Sequence, residues 1–262
     1  MDWQEVSGNW IWVPRNPKAI IHFLGGAFVA AAPSLTYRWL LEHLGRAGYV
    51  IIATPFVNTF DHTAIAKEVV VTFDQGLYYL HNRVLNQRYL PVYGLGHSMG
   101  CKVHLLINSL WQVERGGNIF MSFNNYPAKR SIPFLDVVME QVVQFNPSFS
   151  MEFTPSPEET LALITEQYMT QQNLLIKFRN DDIDQTRPLS DVLVRRFPDT
   201  TSVKILKGTH TTPIAQDIAW EPGSSFTPLD ALGQFMKQEF YRDLNQLKQT
   251  ILTWLDFQDR QF

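Results

Sequence analysis

The sequence predicts an α/β fold: a mostly parallel sheet with helices on both faces and one helical cap insertion. Three observations lead there. Short apolar runs of strand formers alternate with amphipathic helical stretches, the pattern of strands buried on both faces. The alternation lapses from about 125 to 172, where helical patterns follow one another without a strand, and then resumes. The 262 residues suit one large domain carrying such an insertion, so the whole chain, 1–262, is read as a single unit.

The elements follow in order. "NWIWV" (Asn9 to Val13) reads as a first strand closed by Pro14. "AIIHFL" (Ala19 to Leu24) is a strand that ends at Gly25-Gly26. "SLTYRWLLEHLGRAG" has helical periodicity, with Leu35, Trp39, Leu40 and Leu44 on one side and Gly48 as its stop. "YVIIATPF" (Tyr49 to Phe56) is a buried strand, and Asp61 to Gln87 a long helix. "LPVYGLG" and "CKVHLLINSLWQV" make the next strand and helix, and Asn118 to Asn124 another strand. In the insertion, "YPAKRSIPFLDVVMEQVVQF" and "SPEETLALITEQYMTQ" read as helices. Ser156 and Glu159 form a capping box in the second, with Pro157 at the first helical position. Strand Asn173 to Phe178, a helix near Leu189 to Phe197, strand Thr201 to Leu206 and a last helix from about Leu229 to Phe257 complete the chain.

Composition narrows the function. Hydrophobic residues are 45% and charged residues 18%, enough apolar matter for a sizeable core. A net charge of −3 and the lack of any Lys/Arg-rich cluster argue against nucleic acid and against a basic membrane-surface patch. The start of the chain lacks the basic and apolar regions of a secretory signal, and no apolar run approaches the roughly 20 residues of a membrane span. The single Cys101 excludes an intramolecular disulfide and fits a reducing compartment, so a cytoplasmic protein is expected. The histidines show no metal-ligand spacing and no phosphate-binding glycine loop is present, so neither a metal nor another cofactor is expected.

"VYGLGHSMGCKVHLL" holds the most informative corner. A strand runs into Gly-x-Ser-x-Gly and a helix starts at once, a turn that forces Ser98 into a strained backbone conformation. Gly96 and Gly100 are small because side chains there would strike the neighbouring strand and helix. The hydroxyl is lifted to a helix N-terminus, which favours developing negative charge. A serine so placed needs a base, and the base an orienting acid; on a sheet of this kind the order is Ser, Asp or Glu, then His. Downstream of Ser98 stand only His104 and His210. His104 lies within the following helix, where packing or capping suits it. His210 follows a strand and Gly208 in "VKILKGTHTTPIA" and is the expected base. The acid belongs to "LLIKFRNDDIDQT", where Asp181 fits best, Asp182 is its close rival and Asp184 is third. An oxyanion needs two backbone donors. Met99, next after the serine, supplies one, and the loop Gly25-Gly26-Ala27-Phe28 the other, through Gly26 and Ala27.

In chain order, "LGGAF", "GHSMG", "RNDDID" and "KGTH" resemble the α/β-hydrolase fold over nearly the whole chain, with 125–172 in the place of the cap or lid. The opening "GNWIWVP…IIHFLGGAFVAAAPSLTYRWLLE" resembles a branch of that superfamily found in cyanobacteria and plastids. The chain departs from many esterases in having Leu24 where a histidine precedes the two glycines. The resemblance implies a reaction class and no particular substrate.

Simpler duties suit several other residues. Asp61 suits the cap of the long helix, and His62 beside it lines a pocket or caps in turn. Cys101 reads as a small helix-packing residue. Ile132, Leu135, Val138, Met139, Val142 and Val143 form an apolar stripe in the insertion, suited to docking it on the domain or to admitting an acyl chain. The expected function is a serine hydrolase of a carboxylic ester or thioester acting on a small-molecule or acyl substrate. An acyltransferase using the same groups and a non-catalytic binding or scaffold protein on the same frame are the alternatives.

Overall fold

Eight strands form one sheet in the computed structural model, in the order β1-β2-β4-β3-β5-β6-β7-β8. The structure describes residues 2–27, 29–131, 152–215 and 228–259. The strands are β1 (Gln4–Val6), β2 (Asn9–Trp12), β3 (Ala19–Leu24), β4 (Tyr49–Ala53), β5 (Val92–His97), β6 (Gly117–Met121), β7 (Asn173–Phe178) and β8 (Thr201–Leu206). β1 and β2 pair antiparallel at one edge, and β4 through β8 are parallel. The helices are α1 (Pro33–Thr36), α2 (Arg38–Arg46), α3 (His62–Arg83), α4 (Met99–Leu110), α5 (Ala128–Ser131), α6 (Pro157–Gln167), α7 (Thr186–Arg196) and α8 (Pro228–Gln258).

Period-two alternation splits each central strand between two apolar layers. Ile21, Phe23, Ile51, Leu95, Ile119 and Leu174 face α2 and α8, meeting Trp39, Leu40 and Leu44 on one and Leu247, Ile251 and Trp254 on the other. Their sequence neighbours point the opposite way. Ile20, Val50 and Ile52 pack on Phe73 and Leu80 of α3. Leu24 joins Ile65, Val69, Val103 and Leu106, while Phe120 and Leu175 meet α6 and α7 through Ile164, Leu189 and Leu193. Both faces are covered, which is why these strands read as continuous apolar runs rather than as alternations.

Local signals hold where they carry a mechanism. The Asp61 carboxylate accepts from Ala64 N–H at 2.8 Å and caps α3. In α6, Glu159 N–H donates to Ser156 Oγ at 3.2 Å while Ser156 N–H donates to Glu159 Oε2 at 2.8 Å, the expected box, with Pro157 leading the helix. The strand expected to reach Asn124 ends at Met121, and the helix expected to reach Gln87 ends at Arg83. Two further differences have a visible cause. The helix expected around Leu35 is broken at Tyr37, and Leu35 is exposed, because the Tyr37 side chain is drawn into the interior near Ser98. The strand expected to reach Phe56 ends at Ala53, since the next side chain, Thr54, is engaged in a buried polar chain. Of residues 125–172, where a helical insertion is expected, α5, α6 and the segment from Glu152 are described. The apolar stripe Ile132, Leu135, Val138, Met139, Val142 and Val143 lies outside the described residues.

That polar chain has one consistent set of directions. Arg115 Nη2 donates to His22 Nδ1 (3.2 Å), so His22 Nε2–H donates to Thr54 Oγ1 (3.1 Å) and Thr54 donates to Asn9 Oδ1 (2.6 Å). His22 is therefore neutral; burial, reinforced by His104 and Arg115, holds its pKa well below the ordinary value. Burial likewise depresses His62, His97 and His104 to about 3 each. In the unfolded chain these rings bind protons near pH 6.5, which the folded state refuses. Stability is thus fully present above about pH 6.5 and is lost as pH falls toward 3, at about 2 kcal/mol per histidine by pH 5. Several such rings rival the total stability of a domain. We expect the thermal midpoint to drop steeply between pH 7 and 5. A midpoint constant across that interval, followed by calorimetry, would show that these rings ionise inside the fold.

Candidate active site

Four loops at the carboxyl ends of β3, β5, β7 and β8 meet at one point, the place where parallel α/β sheets hold their working groups. Ser98 stands between β5 and α4 with φ 54° and ψ −118°, a positive-φ conformation uncommon for any residue but glycine. Its N–H donates to Met121 O on the adjacent strand at 2.9 Å, which fixes the corner. The flanking glycines are required by backbone proximity. A Cβ on Gly100 would lie 2.2 Å from Leu24 O, and one on Gly96 2.7 Å from Cys101 N. Gly100→Ala should therefore cost about 3 kcal/mol or more, a fall in melting temperature of about 10 °C. A variant that melts with the wild type would mean that the β3–α4 contact yields freely.

His210 is brought to Ser98 by the loop after β8. Gly208 turns that loop at φ 124°, and its carbonyl accepts from Asn180 N–H at 3.0 Å, tying the β7 and β8 loops together. His210 Nε2 lies 3.0 Å from Ser98 Oγ, and Nδ1 lies 2.9 Å from Asp181 Oδ2. The Asp181 side chain is wholly buried. Burial opposes its ionisation, yet hydrogen bonding by His210, with Ile183 N–H at 3.1 Å, outweighs burial and lowers its pKa. With Nδ1–H directed at Asp181, Nε2 presents its lone pair to the serine proton. The two rival acids are elsewhere. Asp182 is exposed. Asp184 is paired with Lys177 at 2.9 Å and accepts from Thr186 N–H and Oγ1 at the start of α7.

The oxyanion expectation is revised at one residue. Gly26 N–H donates to Tyr37 Oη at 2.8 Å, so this donor is already engaged. Tyr37 in turn donates to His97 Nδ1 at 2.7 Å, and His97 Nε2–H donates to the carbonyl of His210 at 2.8 Å. Burial raises the Tyr37 pKa and depresses that of His97, keeping both neutral, as this chain of bonds requires. It links the β3 loop to the His210 loop directly beneath Ser98. Met99, at the first position of α4, and Ala27 border the same cavity, and neither N–H has an acceptor among the described residues. Residue patterns gave no hint of the Tyr37–His97 link: Tyr37 sits in an apolar helical stretch, and His97 is the variable position before the serine.

The cavity beside Ser98 holds about 270 Å³. Ser98, His210, Met99 and Ala27 border it, and so do Phe153, Tyr126 and Arg130 from the segments either side of residues 132–151. The Glu152–Pro155 segment is pinned by Thr154, whose carbonyl accepts from His62 N–H at 2.8 Å and whose N–H donates to Phe60 O at 2.8 Å. His62 lines the cavity while Asp61 caps its helix. His104 is buried edge-on against His22, and Cys101 is buried with its thiol donating to Met121 O at 3.3 Å; both pack. Among the described residues no three side chains are grouped as metal ligands, and no helix is long and apolar enough to cross a membrane.

Sheet order, the strand–serine–helix corner and the flanking helices define the α/β-hydrolase fold. Solved structures agree. A soluble variant of monoglyceride lipase from Saccharomyces cerevisiae, in complex with a substrate analog, has a TM-score of 0.61 at 13% identity, covering 98% of this chain and 94% of that one. MGS-MChE2, an alpha/beta hydrolase enzyme from a lagoon-sediment metagenome of Mar Chica, Morocco, has 0.53 at 12% identity, covering 92% and 99%. A monoacylglycerol lipase from Paleococcus ferrophilus has 0.50 at 12% identity, covering 80% and 91%. At these identities the likeness establishes the fold. The chain belongs to the family described as "Protein of unknown function (DUF1350)", which it matches over residues 2–257. No curated protein matches it in sequence.

Proposed function

We propose that this protein is a serine hydrolase cleaving a carboxylic ester or thioester through an acyl-serine intermediate. The observation that carries the reading is the alignment Ser98 Oγ–His210 Nε2–Asp181, at 3.0 and 2.9 Å, on a strained corner facing a cavity. Ser98 attacks the carbonyl carbon while His210 takes its proton. The proton then passes to the leaving oxygen or sulfur, and Asp181 stabilises the imidazolium between these steps. Ala27 and Met99 N–H groups receive the oxyanion at the positive end of α4. Water, activated by His210, releases the acid and restores Ser98. The insertion serves as a cap, contributing Phe153, Tyr126 and Arg130 to the substrate space. The lipase names of two fold neighbours favour acyl esters as the first substrates to try. The test is acid release from a panel of short and medium acyl esters and thioesters. We expect turnover of at least one, in the absence of added metal or cofactor. No turnover across the panel by folded protein would favour a non-catalytic binding role.

A further inference from the structure

We propose that Lys102 and His62 form a subsite for an anionic group, carboxylate or phosphate, on the substrate presented to Ser98. This rests on the hydrolase reading and adds a substrate class to it. Lys102 lies on α4 four residues beyond Ser98, roughly 6 Å along the helix axis. It is 1% exposed, yet it borders the cavity. Its ammonium donates to Pro155 O at 2.9 Å and lies 5.8 Å from the Phe153 ring centre. An ammonium has three donors, and among the described residues no carboxylate stands within ion-pair distance of this one. His62 is 3% exposed, stacked on Phe153 at 4.3 Å, and both of its ring nitrogens are buried without a partner among the described residues. Arg130 adds a third basic side chain to the lining, Asn58 and Asn125 add amides, and no described lining residue is a carboxylate.

Two buried basic side chains with no ion-pair partner among the described residues are costly where a methionine and a phenylalanine would fill the space at no such penalty. Burial pulls Lys102 down to about 7 against the attraction of Glu152, Glu158 and Glu159, and burial together with Lys102 pulls His62 to about 3. Both line the cavity, and among the described residues neither has a carboxylate within ion-pair distance. An anion seated there accepts hydrogen bonds from both and restores their protons. The acids that flank Lys102 attract its ammonium, but they do not pair the two ring nitrogens of His62, whose side chain lines the same cavity. The short span from Lys102 to Ser98 and the modest cavity fit a compact substrate, with its charge a few atoms from the scissile carbonyl.

Paired substrates test this. On the acyl side, a nitrophenyl ester of glutaric acid is compared with the same ester carrying a methyl-capped terminus. On the alcohol side, butyryl-glycerol phosphate is compared with monobutyrylglycerol. We expect kcat/KM to favour the charged member roughly 10- to 100-fold in one pair, which identifies the source of the charge. Lys102→Met should reduce that ratio to near one, and His62→Phe should do the same if Lys102→Met fails to fold. A merely structural lysine would change the melting temperature and leave the ratio intact. Equal rates in both pairs, from protein whose Ser98 reacts with a fluorophosphonate, would overturn the subsite while leaving the hydrolase reading in place. If Ser98 is unreactive, the hydrolase reading fails and calorimetry with glutarate and glycerol phosphate decides the subsite. Binding lost in Lys102→Met supports it, and no binding to the wild type overturns it.

Discussion

Ser98→Ala should lower kcat by about 10⁵-fold on any ester the protein hydrolyses, while leaving it folded. Alanine occupies the same positive-φ corner without adding bulk or a buried polar group. Only the nucleophile is lost; the backbone donors of Ala27 and Met99 and the cavity survive. Residual turnover is therefore what binding and oxyanion stabilisation alone supply. Steady-state kinetics on purified variant, with a melting curve as control, measures it. Turnover within tenfold of the wild type would remove Ser98 from the mechanism.

Asp181→Asn should lower kcat by about 10⁴-fold at neutral pH with little change in volume. The carboxylate accepts from His210 Nδ1–H at 2.9 Å and from Ile183 N–H at 3.1 Å. An asparagine facing the ring with its NH₂ imposes the other tautomer, placing the proton on Nε2, where the serine needs an acceptor. Turning the amide about to present its oxygen aims NH₂ at Ile183 N–H instead. Asp182→Asn and Asp184→Asn are the controls: the first is exposed, and the second is committed to Lys177 and α7, so each should change kcat less than tenfold. A loss at Asp182 comparable to that at Asp181 would mean that the acid is shared or misassigned.

β3, β7 and β8 are legible to the residue: β3 and β7 are short runs of strand formers buried on both faces, while β8 is an edge strand on which Val203 and Ile205 stay exposed. β1 is not legible, since it is three residues of mixed polarity whose strand character depends on pairing with β2. The serine corner was legible because Gly96 and Gly100 mark backbone contacts that no other residue permits. His210 was legible from a strand, a glycine and a loop in sequence. The acid stayed open because three aspartates fall within four positions, and only burial and partner choice separate them. Gly26 was read as a free donor, and its partner, Tyr37, reaches it from a broken helix. The bonds from Tyr37 to His97 and from His97 to the His210 carbonyl span 60 and 113 positions and leave no local pattern. Lys102 was hidden for a related reason: in a one-dimensional reading it is an ordinary polar residue on an amphipathic helix, and only its burial beside His62 sets it apart.

The most direct test of the central claim is labelling by a fluorophosphonate, read by intact mass and peptide mapping on wild type and Ser98→Ala. The account predicts one adduct per chain on the peptide containing Ser98, absent from the variant. It also predicts that labelling slows sharply in Asp181→Asn, since activation of the serine depends on the His210 tautomer. A folded wild-type protein that takes up no probe, or takes it up at a residue other than Ser98, would contradict it.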